Sequence, residues 1–159
     1  MDSLEQIFQN AYDDPSTKID PEWVDQWLES LGDKVHEYHY LENKTVASIT
    51  EEKEQLLEPF TDKDKWLQSL LMYRPVYDLQ DLRLGYHTRW IREKTPELFI
   101  LTNGGIAVQT KFLKNGTYVV CKNGFTMMQY PLDKCITFQK MSPEEWMILY
   151  AQQEAVGSK

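Results

Sequence analysis

Two Asn-Gly pairs, Asn115-Gly116 and Asn123-Gly124, constrain this chain more than any other feature. Both residues of such a pair tolerate positive φ, so each pair between β-rich segments predicts a tight hairpin. Strands are expected at 106–113, 117–122 and 125–130. Three more are expected at 87–92, 97–102 and 134–140, where short segments rich in β-branched and aromatic residues alternate with turn residues. With two-residue turns, Phe112 faces Val119 and Thr110 faces Cys121. One sheet face then carries Ile106, Val108, Phe112, Val119, Cys121, Met128 and Tyr130 without a charge, and is the expected core. The other carries Leu113, Tyr118, Val120, Phe125 and Met127 beside Lys111 and Lys122. That is too apolar for a solvated face, so a cover is expected: the chain's own helices, favoured for much of it, or another molecule. A register slip of one residue would exchange the faces.

The first half changes to a helical period. Leu4, Ile7, Phe8 and Ala11 predict a helix over 3–12. Asp20-Pro21-Glu22 opens a second, with Trp23, Val24, Trp27, Leu28 and Leu31 on one face and Gly32 at its end. Residues 34–47 fit no single period. A helix near 50–58 stops at Pro59, and another over 62–73 is capped around Thr61-Asp62 and ends before Pro75. Ser142-Pro143-Glu144-Glu145 opens a final helix to about Ala155 with a capping box. The expected fold is therefore α+β. An acidic helical region, 1–80, precedes a small SH3-like or OB-like antiparallel barrel with a C-terminal helix, 81–159.

Charge divides along the same line. The net charge is −8, but residues 1–70 carry −11, residues 71–140 carry +5 and residues 141–159 carry −2. The basic block can meet a phosphate backbone, an acidic protein or the chain's own acidic half. No apolar run is long enough for a membrane span. The acidic, amphipathic start MDSLEQIFQN does not read as a secretion signal, so an intracellular protein is expected. The matches Asn43-Lys-Thr and Asn115-Gly-Thr to the glycosylation pattern then carry no weight.

Candidate chemistry is thin. His36 and His39, three apart near Glu37 and Glu42, have the spacing of two metal ligands on a helix but no third convincing one. Surface histidines explain them better, and His87 reads as a strand-edge residue. Cys121 and Cys135 lie on expected strands and read as structural thiols, with no base arranged to activate either. Asp13, Asp14, Asp62, Asp64, Glu51, Glu52 and Glu54 fall in caps or on helix faces, where solvation and the helix dipole account for them. Thr102-Asn103-Gly104-Gly105 fits neither phosphate-binding loop pattern and reads as a turn. No enzyme, metal or cofactor is expected.

Basic residues from Arg83 to Lys140 interleave with Trp90, Tyr118, Phe125 and Tyr130, the composition a single-strand nucleic-acid groove uses. Core aromatics between surface lysines give the same pattern. The contact surface expected from the sequence consists of Arg89, Arg92, Lys111 and Lys122 as polar groups, with Tyr118 and Phe125 as apolar anchors.

The string Leu84-Gly85-x-x-Thr88-Arg89-Trp90-Ile91 is followed by Gly104-Gly105-Ile106, Tyr118-Val119-Val120, Asn123-Gly124, Gln129 and Ile136-x-Phe138-x-Lys140. Over about residues 82–146 this resembles a small β-domain of poorly characterised proteins of large double-stranded DNA viruses. The resemblance implies a virion or virus-factory protein and carries no catalytic residues. The functional expectation is a non-catalytic interaction or scaffolding protein, with a viral structural or assembly component as the setting the resemblance implies, acting on a protein partner or by self-assembly. Single-stranded nucleic-acid binding by the basic barrel is the alternative.

Overall fold

A computed structural model describes residues 35–157, and the two helices expected before residue 34 lie outside them. The chain divides after Glu42 into two compact units, Met1–Glu42 and Asn43–Lys159. In the first, Val35–Leu41 forms a 3₁₀ helix broken at Tyr38, which is why no single period ran through this stretch.

The second unit opens with helix α1, Val46–Leu57. Thr45 and Ser48 form its capping box: the Thr45 hydroxyl accepts from the Ser48 N–H, and the Ser48 hydroxyl from the Thr45 N–H. Helix α2, Lys63–Ser69, is shorter than expected, and Asp62 precedes it without a side-chain cap bond. The buried Lys53 of α1 donates to the carbonyls of Leu70 (3.0 Å) and Leu71 (3.3 Å), placing a cation against the C-terminal end of α2. The segment expected to end this helix becomes strand β1, Tyr73–Val76. Pro75 steers Arg74 away from helical geometry, and its missing donor is tolerated in a strand at the edge of the sheet.

Strands β2 (His87–Thr95), β3 (Leu98–Leu101), β4 (Gly105–Leu113), β5 (Gly116–Asn123), β6 (Thr126–Pro131) and β7 (Ile136–Lys140) follow, close to their expected bounds. Helix α3, Pro143–Gly157, ends the described chain. The sheet order is β1-β7-β2-β4-β5-β6, with β3 also on β2. Thus 46–76, part of the helical region expected over 1–80, supplies a strand to the same sheet and two helices to its cover.

The sheet is curled but open, not the closed or nearly closed SH3- or OB-like barrel expected. Strand β6 pairs only with β5, and β4 pairs with β2 over just two residues. Inside the curl lie Trp90, Ala107, Val119, Cys121, Tyr130 and Leu132. The Trp90 and Tyr130 rings stack at 4.1 Å and 15°, and Thr137 donates to the Tyr130 hydroxyl. On the outer side of β7 and β2, Ile91 and Phe138 pack with Leu57 of α1, Trp66 of α2 and Leu70 just after it.

The hairpins form where the Asn-Gly pairs stand, but each turn is displaced by one residue. The first loop is Lys114-Asn115, with Gly116 (φ +133°) opening β5; the second is Gly124-Phe125, with φ +62° at Gly124. Phe112 therefore pairs with Thr117 and Val119 with Thr110. Partners move by two positions, so faces are kept: Val119, Cys121 and Tyr130 are buried as expected. Phe112 is not. It lies near the tip of the hairpin, 74% exposed. A bulge between Ala107 and Gln109 adds a further correction. Beyond it the alternation reverses, so Ala107 turns inward while Ile106 and Val108, expected in the core, are exposed.

Candidate interaction surface

The outer faces of the two halves of the sheet differ. Over β7 and β2 the helices bury it. Over β4–β6, cross-strand rows place Ile106, Lys122 and Met127 together, then Gln109, Val120 and Gln129, then Lys111, Tyr118 and Pro131. Directly opposed side chains share a face. Ile106, Leu113 and Met127 are exposed on it and Tyr118 is half-buried; Val120 is buried. The intramolecular cover favoured for this face is thus incomplete. Phe125 stands in the adjoining turn with its side chain fully in solvent.

The structure brings together some of the expected contact residues and separates others. Lys111 pairs across the strands with Tyr118, and Lys122 precedes the turn that carries Phe125. Arg89 also faces outward, since its partner is Phe138, but its guanidinium donates to the Thr102 carbonyl (2.8 Å) and it is half-buried. Arg92 belongs to the opposite side of β2, with Thr88 and Trp90, and lines a cleft at the mouth of the curl. The six residues therefore do not form one surface. Ile106 and Met127 join the outer-face group; their exposure depends on the bulge and on the uncovered edge, neither of which leaves a sequence signal.

Charge sharpens this picture. Ion pairs within the described residues join Lys44 to Glu52 (3.1 Å), Lys63 to Glu58 (3.3 Å) and Arg74 to Glu145 (2.5 Å). Among the described residues, Arg92, Lys111 and Lys122 take part in no such pair and in no side-chain hydrogen bond. Glu52 of α1 thus pairs with Lys44, just before the helix, rather than with the basic block.

Buried polar chemistry lies elsewhere and is held by the fold itself. Arg74 of β1 meets Glu145 of α3, the Asp81 carbonyl (2.6 Å) and Gln139 of β7 (3.2 Å). Gln139 also accepts from the Arg83 N–H and donates to the Arg83 carbonyl and the Thr88 hydroxyl. Glu145 accepts from the Ser142 N–H, completing the expected capping box. These groups tie α3, β1, β2, β7 and the 79–83 segment together.

Both cysteines are free thiols. Burial pushes Cys121 up to about 12, and raises Cys135 against the opposing influence of Arg92. Neither is an activated nucleophile. His87 accepts or donates a 2.9 Å hydrogen bond with the Tyr73 hydroxyl; burial, then Arg89 and Lys140, lower its pKa, favouring the neutral imidazole. No described helix is long and apolar enough to cross a membrane. Comparison of the chain with protein-family models, with curated proteins and with solved structures finds no match.

Proposed function

We propose that the chain is a non-catalytic interaction module that holds an acidic, partly apolar protein partner against the outer face of β4–β6. One observation carries this reading: Lys111 and Lys122, without acidic partners among the described residues, alternate with exposed Ile106, Leu113 and Met127 on the half of the sheet that no described helix covers. Apolar groups supply burial on association, and the lysines orient and select the partner. The resemblance of 82–146 to a viral β-domain makes assembly of a viral particle a setting for such a role. Nucleic-acid binding is less well supported. Trp90 and Tyr130 are buried against each other and Tyr118 is half-buried, leaving Phe125 with an open ring face for a base among these aromatics.

A titration of the full chain separates the two readings. The probes are a labelled acidic amphipathic peptide and a single-stranded oligonucleotide, each followed by anisotropy from low to physiological salt. The peptide binds, and Met127→Ser together with Lys122→Glu removes the binding without changing the melting temperature. Oligonucleotide binding that weakens steeply with salt, with the peptide inert, overturns the proposal.

A further inference from the structure

The open seam of the sheet offers a different kind of site, independent of the outer-face reading. Strand β6 ends the sheet, and its backbone geometry follows from its hairpin. Asn123 and Thr126 flank a two-residue loop, which makes them a hydrogen-bonded pair. By alternation, Met128 and Tyr130 bond to β5, whereas the N–H and C=O groups of Met127 and Gln129 point away from it. Pro131 fits this assignment, because its position requires no donor towards β5. Among the described residues the outward groups of Met127 and Gln129 find no backbone partner.

Beside this edge lies a cleft of about 500 Å³. It is lined across from β6 by Trp90, Arg92, Thr102 and Asn103, with Cys135 also on its wall. The inward faces of Trp90 and Tyr130 are consumed by their mutual stacking, so the cleft is not an aromatic cage. Its free functional groups are the Asn103 amide and the exposed Arg92 guanidinium, which makes no ion pair among the described residues.

We infer that this seam accepts an extended peptide segment, which adds a short strand to β6 and directs an acidic side chain to Arg92. The donors and acceptors of Met127 and Gln129 supply the backbone ladder, and alternation of the added strand turns every second side chain into the cleft. Arg92 favours a carboxylate there, since a guanidinium can hold it with two parallel hydrogen bonds. Pro131 ends the edge and confines pairing to the two outward-facing residues, so the segment is short. A second copy of this chain pairing β6 with β6 is the competing occupant.

The test uses the full chain and a pair of end-blocked hexapeptides alternating valine and threonine, with a central glutamate in one and lysine in the other. The glutamate peptide binds about tenfold more tightly, the value of one charge-assisted contact. It slows amide exchange at Met127 and Gln129. Arg92→Glu reverses the preference. Gln129→Pro, which removes an outward donor at a position where the sheet does not need it, abolishes binding while the backbone spectrum stays native. Arg92→Ser, a milder surface change, loses only the charge preference. Lys122→Glu leaves seam binding unchanged, which separates failure here from failure of the outer-face reading. Equal affinity for both peptides, binding without protection of these amides, or binding that survives Gln129→Pro overturns the inference. So does protection without peptide that grows with protein concentration alongside dimer formation, because the edge is then taken by a second copy.

Discussion

Gly104 is the residue on which the curl turns. A Cβ there would lie 1.9 Å from the Thr88 carbonyl oxygen, and its φ of +70° already disfavours any side chain. Gly104→Ala should therefore cost roughly 3 kcal/mol or more, because the obstacle is backbone and cannot swing aside; chemical denaturation of the two proteins measures it. Lys53 makes a different residue-level statement. Burial holds its pKa down to about 8, against a weaker opposing effect of Glu54. Between that value and the unfolded value of 10.5 the unfolded chain binds more protons, so this group's contribution to stability rises with pH across the window. The increment should reach about 3 kcal/mol. Cys121, whose pKa is raised, works in the opposite direction above pH 9, so the measurement is the difference between wild type and Lys53→Met. A difference that stays flat from pH 8 to 10 would show that Lys53 keeps its proton at no cost. Neither effect is legible in sequence. Gly104 reads there as an ordinary turn glycine, and Lys53 as one more charge on an exposed helix, until the partner backbone is in place.

Elements were far easier to read. The six strands from His87 to Lys140 and the final helix were legible because their signals are local: turn glycines, β-branched runs, and the Ser142–Glu145 box. Strand β1 was not, since Trp66, Leu67, Leu70 and Leu71 continue a helical stripe up to it and only pairing with β7 makes 73–76 a strand. The bulge in β4 was invisible for the same reason. It inserts a residue without any glycine or proline to mark it, and it moved Ile106 out of the core and onto the candidate surface. The junction of α3 with the sheet carries the prediction at this scale. Arg74 and Glu145 are both about 1% exposed, and removing one leaves the other buried and uncompensated. Arg74→Ala should cost about 3–5 kcal/mol, whereas Arg74→Met with Glu145→Leu should recover much of that loss. The double change also breaks the α3 capping box, so a residual deficit of about 1 kcal/mol should remain. Melting of wild type and the two variants together decides whether the pair is held by complementarity or is simply costly to break.

At the scale of the whole molecule, charge and packing divide the chain at different places. Charge and period both change near residue 80, and that is a change in secondary structure rather than in packing. The outer core needs Leu57, Trp66 and Leu70 to cover Ile91 and Phe138, so an apolar helix face in the acidic half has its complement in the basic half. A fragment beginning at residue 81 would strip that cover and remove β1, including the Arg74 partner of Glu145. A fragment spanning 43–159 keeps the clusters around Trp90 and around Phe138 entire. The 43–159 fragment should accordingly unfold in one cooperative transition and retain the near-ultraviolet dichroism of packed Trp90 and Tyr130. The 81–159 fragment should lack both properties and expose apolar surface to a hydrophobic dye. Native-like melting of 81–159 would mean that the curled strands support themselves and that α1 and α2 are an accessory. Failure of 43–159 would mean that the basic sheet depends on residues 1–42, and the acidic charge concentrated there would become the first place to look for its partner.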